Sequence, residues 1–253
     1  MRVIIIGSGN TATVLGRLIQ KAGHDIIQVF SRDHLNASRL ASLLGCSFTT
    51  DPTSISRSAD IYIISISDSG LHAIDQWLQL DRKLVVHTAG SVSINILSRV
   101  SSNYGILYPL QSLRKEINRI PHIPFFIDGN TIENITIIED FTHSISTNVA
   151  QADDSRRMKL HLAAVIVSNF TNYLYTLTDH FCRDENIDFK LLLPLMNEVI
   201  YRLEDVAPEK LQTGPAMRND VSTIDKHLSL LDQYPELRAW YRLFSERIAE
   251  KKL

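Results

Sequence analysis

The chain has 253 residues, 44% of them hydrophobic, so it can bury one large or two modest cores. Its 26 Lys and Arg against 28 Asp and Glu leave a formal net charge of -2, which gives no basic field for nucleic acid or an anionic membrane. Two cysteines, Cys46 and Cys182, stand far apart and in no metal-ligand spacing, so they read as small buried hydrophobes and no metal site is expected.

At the N-terminus, Val3-Ile4-Ile5-Ile6 is a strand-sized apolar run, too short for a signal peptide and cut off by Gly7, which suits a cytoplasmic protein. Gly7-Ser8-Gly9-Asn10-Thr11-Ala12 then opens a helix expected to reach about Lys21. Strand, glycine turn and helix in this order form a dinucleotide site. The first glycine permits the tight turn, the second lets a pyrophosphate approach the backbone, and the small Ala12 lets helix and strand pack closely.

A second strand spans Asp25 to Phe30 and ends in Ser31-Arg32-Asp33. An acid at this junction suits the ribose 2′-hydroxyl of NAD, whereas an arginine suits the 2′-phosphate of NADP. Ser31 and Arg32 therefore favour NADP, with NAD the alternative, and Asp33 either approaches the ribose or caps the next helix. That helix, Leu35 to Leu44, is closed by Gly45, and Ser47-Phe48-Thr49 is a short third strand.

Ile61 to Ile64 forms a fourth strand, with Ser65, Ile66 and Ser67 at the end where ligands of an open parallel sheet lie. A helix from about Leu71 to Leu80 leads to the strand Lys83 to His87, and Thr88-Ala89-Gly90-Ser91 follows. Thr88 belongs near the cofactor ribose. His87 either contacts the nicotinamide or substrate or is satisfied by a backbone group. Strands at Gly105 to Tyr108 and Phe125 to Gly129, a helix from Glu133 to about Ser146 and an edge strand within Asn148 to Ala152 complete a sheet of about seven or eight strands.

From residue 153 onward no strand is visible, and helices are expected over Ser155 to Glu185, Asp188 to Val206, Val221 to Asp232 and Pro235 to Lys251. The expected fold is α/β, a Rossmann-type doubly wound, mostly parallel sheet over residues 1-152, followed by an all-α domain over 153-253. Arg156-Arg157 reads as a solvated helix face. Leu160 to Tyr175 is apolar on most sides but broken by polar residues, so it reads as a buried helix rather than a membrane span. Burial on all sides in so small a domain implies a homodimer through it.

Within that helix His161, Val165, Ser168, Asn169 and Asn172 share one stripe at the 3.6 period, either a seam satisfied by neighbouring helices or a substrate site. Lys159 is a natural general acid, but at about 100° per residue it points about 160° away from His161. Further on, Thr213-Gly214-Pro215-Ala216 with Arg218 reads as a helix start with a cation, suited to an anion.

Gly-Ser-Gly-Asn at 7-10, His-Thr-Ala-Gly-Ser at 87-91, Tyr-Pro-Leu-Gln-Ser at 108-112, Lys159-x-His161, Ser168-Asn169-Phe170 and Thr-Gly-Pro-Ala at 213-216 together resemble an uncharacterised reductase-like family. That family joins a Rossmann-type domain to a helical domain of unknown function. More distantly the chain is similar to pyrroline-5-carboxylate reductase and the β-hydroxyacid dehydrogenases. In the latter a lysine on the first long helix is the general acid, with an asparagine about one turn on. The resemblance implies that role for Lys159, although Leu162 and Ala163 stand where the asparagine belongs and Asn169 is a remote substitute.

The expected activity is that of an NADP-dependent oxidoreductase passing hydride to or from a small carbonyl, imine or hydroxy compound. His161, Asn169 and Lys159 would orient the substrate or move the proton. The alternatives are a nucleotide-binding regulatory or scaffold protein without turnover, and a reductase of a deazaflavin coenzyme.

Overall fold

The computed structural model describes residues 1-250 and divides into two compact units, Met1–Ser168 and Asn169–Leu253. In the first, β1 (Arg2–Ile6), β2 (Asp25–Phe30), β3 (Ser47–Thr49), β4 (Ile61–Ile64), β5 (Asp81–His87), β6 (Ser101–Pro109), β7 (Phe125–Gly129) and β8 (Val149–Gln151) form one sheet in the order β3-β2-β1-β4-β5-β6-β7-β8. All pairings are parallel except the antiparallel pair β6 and β7. The order reverses beside β1, and the crevice at that switch point is where an α/β sheet holds its ligand.

The apolar strands are explained by burial on both faces. Val3 and Ile5 of β1 join one core with Leu15 and Ile19 of α1 (Asn10–Lys21), Leu40 and Leu44 of α2 (His34–Leu44) and Ile138 and Phe141 of α4 (Ile132–Ile145). Ile4 and Ile6 face the other core, covered by Leu71, Ile74, Leu78 and Leu97. The helix expected over Leu71 to Leu80 is instead the short α3 (Asp68–Leu71) and a 3-10 turn, Ile74–Gln76. The apolar spacing survives, but Ala73 and Trp77 leave helical geometry and Trp77 packs against Phe30 with ring centroids 5.1 Å apart.

The long helix from residue 154 is not regular. It runs as α5 (Asp154–Ala164), a π-helical segment Val165–Phe170 and α6 (Thr171–Asp184). The polar stripe drawn at 3.6 residues per turn therefore does not hold across it, because i→i+5 bonding changes the rotation per residue. The division at Ser168, rather than near residue 153, keeps α5 with the sheet. Arg157 gives one reason. Expected on a solvated face, it is 1% exposed and donates to the carbonyl of Val92, while Arg156 stays exposed.

The second unit is helical as expected, with α7 (Leu193–Arg202), α8 (Pro208–Leu211), α9 (Val221–Leu230) and α10 (Pro235–Glu250). The helix expected from Asp188 begins instead as a 3-10 turn, Phe189–Leu192, and turns α-helical where Pro194 occupies the first turn. Lys251, expected to end the last helix, lies outside the described residues. Thr213 caps no helix, since Pro215 to Asn219 forms consecutive turns closed by Asp220 N–H to Pro215 O at 2.9 Å. Among the described residues of this unit only Cys182, Ala216 and Leu231 are buried apolar side chains. The helix read as buried instead exposes Val167 at 72% and Phe170 at 59%. No described helix is long and apolar enough to cross a membrane.

Candidate active site

Four strand ends build the cleft. β1 is followed by Gly7, whose φ of 123° is a left-handed conformation open to glycine, and its N–H donates to Phe30 O at 2.8 Å. A Cβ on Gly7 would stand 2.1 Å from Ser65 O, so the turn also needs the missing side chain. Gly9 is the N-cap of α1, in extended conformation with no side-chain cap, and nothing lies within 4 Å of where its Cβ would be. The first N–H groups of α1 are therefore free to meet an anion.

A cleft of about 770 Å³ opens over this turn. It brings together Gly7, Ser8, Gly9, Asn10 and Thr11 with Ser31 and Arg32 from the end of β2, Ser65, Ile66 and Ser67 beyond β4, and Thr88 beyond β5. Ser8 Oγ donates to Ser31 Oγ at 2.7 Å, linking the glycine turn to the end of β2. Asp33 caps α2 by accepting from Asn36 N–H at 2.8 Å through Oδ1 and also lines the cleft, beside Arg32, an exposed cation there. Its size, its glycine cradle and a guanidinium one strand away fit a phosphorylated dinucleotide.

Two expected cofactor residues lie elsewhere. Ala12 is fully buried in the core and acts through close packing, as its small size suggested. Gly16, one turn further along α1, packs as closely, since a Cβ there would meet Leu44 Cδ1 at 2.7 Å. His87 is wholly buried and absent from the cleft wall. Its Nδ1 accepts from Ala89 N–H at 3.2 Å and its Nε2 faces Ser93 O at 3.4 Å, so it ties down the loop after β5. Trp77, Gln76 and Pro52 line the cleft unforeseen; Trp77 sits in a stretch whose apolar spacing pointed only to core.

Beyond Thr88 the loop meets α5. A Cβ on Gly90 would lie 2.8 Å from His161 Nδ1 and 2.8 Å from Tyr108 Cζ, and the Tyr108 hydroxyl is 3.1 Å from His161 Nδ1. His161 is half-buried, whereas Lys159 on the same helix is exposed. Asn169 is exposed and opens the second unit.

Electrostatics here centre on Arg157. Its Nη2 donates to Val92 O and to Asp154 Oδ1, the latter at 2.7 Å, while Nε and Nη1 have no partner. Burial, and then Arg157, drive the His87 pKa down to about 4, so its ring is neutral. Burial pushes the Tyr108 phenol up, opposed by Arg157. Burial disfavours the Asp154 carboxylate, but hydrogen bonds from Ser93, Ile94 N–H and Arg157 outweigh it and hold the group below its ordinary value.

Residues 2–90 match the family model described as NADP oxidoreductase coenzyme F420-dependent, and residues 123–248 match a domain of unknown function, DUF2520. No curated protein matches the chain by sequence. Among solved structures, a "putative NADP oxidoreductase" from Bacteroides fragilis is 34% identical, with 98% of each chain covered and a TM-score of 0.92. 1-Pyrroline-5-carboxylate reductase from Streptococcus pyogenes shares the fold at 12% identity, covering 99% of this chain and 98% of its own, with a TM-score of 0.66. A reductive aminase from Aspergillus terreus, solved with NADPH, does so at 13%, covering 99% and 94%, with a TM-score of 0.68. The chain thus belongs to the NADP oxidoreductase family that couples a Rossmann-type domain to a DUF2520 domain.

Proposed function

We propose that the protein is an NADPH-dependent reductase of a small carbonyl or imine compound or, in reverse, a dehydrogenase of the hydroxy or amino product with NADP+ as the oxidant. The carrying observation is that the glycine-lined cleft ends at Thr88, two residues before Gly90 packs on Tyr108 and His161. NADPH supplies the hydride when bound. Gly7 to Thr11 hold the diphosphate, Ser31 and Arg32 take the 2′-phosphate, and Ser65 to Ser67 with Thr88 lie by the ribose and nicotinamide.

His161 is our candidate for moving the proton, since it combines partial exposure with a side-chain partner. Lys159 and Asn169 remain candidates for orienting the substrate, both being exposed. Imine chemistry is favoured over other classes by the fold shared with a pyrroline reductase and a reductive aminase.

We also propose a homodimer through the helical unit. Exposed apolar side chains of that unit, among them Phe170, Leu191, Leu195 and Ile200, need cover, and a second copy carries the same side chains. Two free cysteines suit a reducing cytoplasm.

The test is hydride transfer from NADPH to a panel of cyclic imines, 2-oxo acids and aldehydes, followed by loss of NADPH absorbance. Turnover of at least one class, abolished by His161→Ala, supports the reading. Binding of NADPH without turnover of any class favours a regulatory nucleotide-binding protein instead.

A further inference from the structure

Tyr108 lies near the end of β6, and its hydroxyl meets His161 of α5 at Nδ1, 3.1 Å away, with the rings inclined at 70°. The two residues are joined by no local geometry, being 53 positions apart. They meet because Gly90 lacks a side chain, its Cβ position lying within 2.8 Å of both. Tyr108 is the inner member, buried, and His161 the outer one, half-exposed.

Resting on the reductase reading above, we propose that Tyr108 fixes the tautomer of His161 so that His161 Nε2–H donates the proton to the substrate's carbonyl oxygen or imine nitrogen, with Tyr108 replenishing it. A neutral imidazole carries one N–H. With the Tyr108 O–H donating into Nδ1, that hydrogen sits on Nε2, the nitrogen directed away from the tyrosine. Burial keeps the phenol protonated and therefore able to donate.

The step balances as a relay. The substrate carbon gains the hydride, the π pair of C=O or C=N moves onto oxygen or nitrogen, and that atom takes the proton as the His161 Nε2–H bond breaks. The Tyr108 O–H proton passes to Nδ1, so the ring stays neutral and the charge rests on the phenolate until solvent reprotonates Nε2 and the Nδ1 proton returns to the phenolate, which restores the starting tautomer. Arg157 is the buried cation placed to favour that phenolate, with Nε and Nη1 unpartnered. Other titratable groups near Arg157 are His87 at the end of β5, held neutral, Asp128 on β7, whose carboxyl burial raises, and Asp154 on α5.

The experiment uses full-length protein labelled with ¹⁵N in its histidine rings, the His161 signals being assigned by their loss in His161→Gln. The expected result is an Nε2–H tautomer for neutral His161 in the wild type and a mixed population in Tyr108→Phe, with unchanged melting temperature. With NADPH and 1-pyrroline or another reduced member of the panel, Tyr108→Phe lowers kcat about tenfold or more and leaves KM for NADPH unchanged. An Nδ1–H tautomer in the wild type, or a wild-type tautomer in Tyr108→Phe, overturns the pair whatever the activity. A shifted tautomer with unchanged kcat overturns the relay. If the wild type reduces nothing, the reductase reading fails and proton donation with it, and the tautomer separates that outcome from failure of the pair.

Discussion

Gly7 and Ser65 stand so close that a Cβ on Gly7 would be 2.1 Å from the Ser65 carbonyl oxygen. Gly7 combines this contact with a φ of 123°, so two independent constraints require glycine. Gly7→Ala must separate the ends of β1 and β4. It is expected to lower stability by about 2 kcal/mol or more and to weaken NADPH binding, measured by urea unfolding and by titration. An Ala variant with wild-type stability and affinity would show that the turn is not held as described.

His87 sets a pH dependence. Its folded pKa of about 4 lies below the ordinary histidine value of 6.5, so the folded state favours the neutral ring. The stability this contributes is complete above pH 6.5 and is lost progressively as pH falls toward 4. The full span is on the order of 3 kcal/mol. Urea unfolding between pH 7 and 4 is expected to fall more steeply for the wild type than for His87→Gln. Parallel curves would remove His87 as the cause.

The alternating strands, the glycine turn and the cleft residues from Gly7 to Thr11 are legible because each depends on local pattern: apolar runs buried on both faces, then glycine, then an amphipathic helix. The features that escaped the sequence depend on distant partners. Arg157 looks solvated beside Arg156 until the carbonyl of Val92, 65 positions away, meets it. His87 reads equally as a strand-end ligand and as a residue satisfied by the backbone, and only Ala89 and Ser93 folding back on it decide for the second. The π segment from Val165 carries no compositional mark, so a polar stripe read at 3.6 residues per turn assumes a period the backbone does not keep.

The uncovered helical surface makes a prediction about assembly. Leu191 and Leu195 are 72% and 64% exposed, which a solitary helical unit does not ordinarily tolerate. Light scattering after size exclusion is expected to give twice the mass of 28.7 kDa. Leu195→Glu with Ile200→Glu is expected to shift it toward monomer while the sheet-bearing unit still binds NADPH. A wild-type monomer at micromolar concentration would refute the dimer.

The most direct test of the account is cofactor choice at Arg32. Fluorescence titration of the wild type with NADPH and NADH is expected to give tighter NADPH binding, and Arg32→Ala should weaken NADPH by about tenfold or more while leaving NADH nearly unchanged. Tighter binding of NADH by the wild type, or an equal loss for both cofactors in Arg32→Ala, would contradict the assignment of this cleft to the 2′-phosphate.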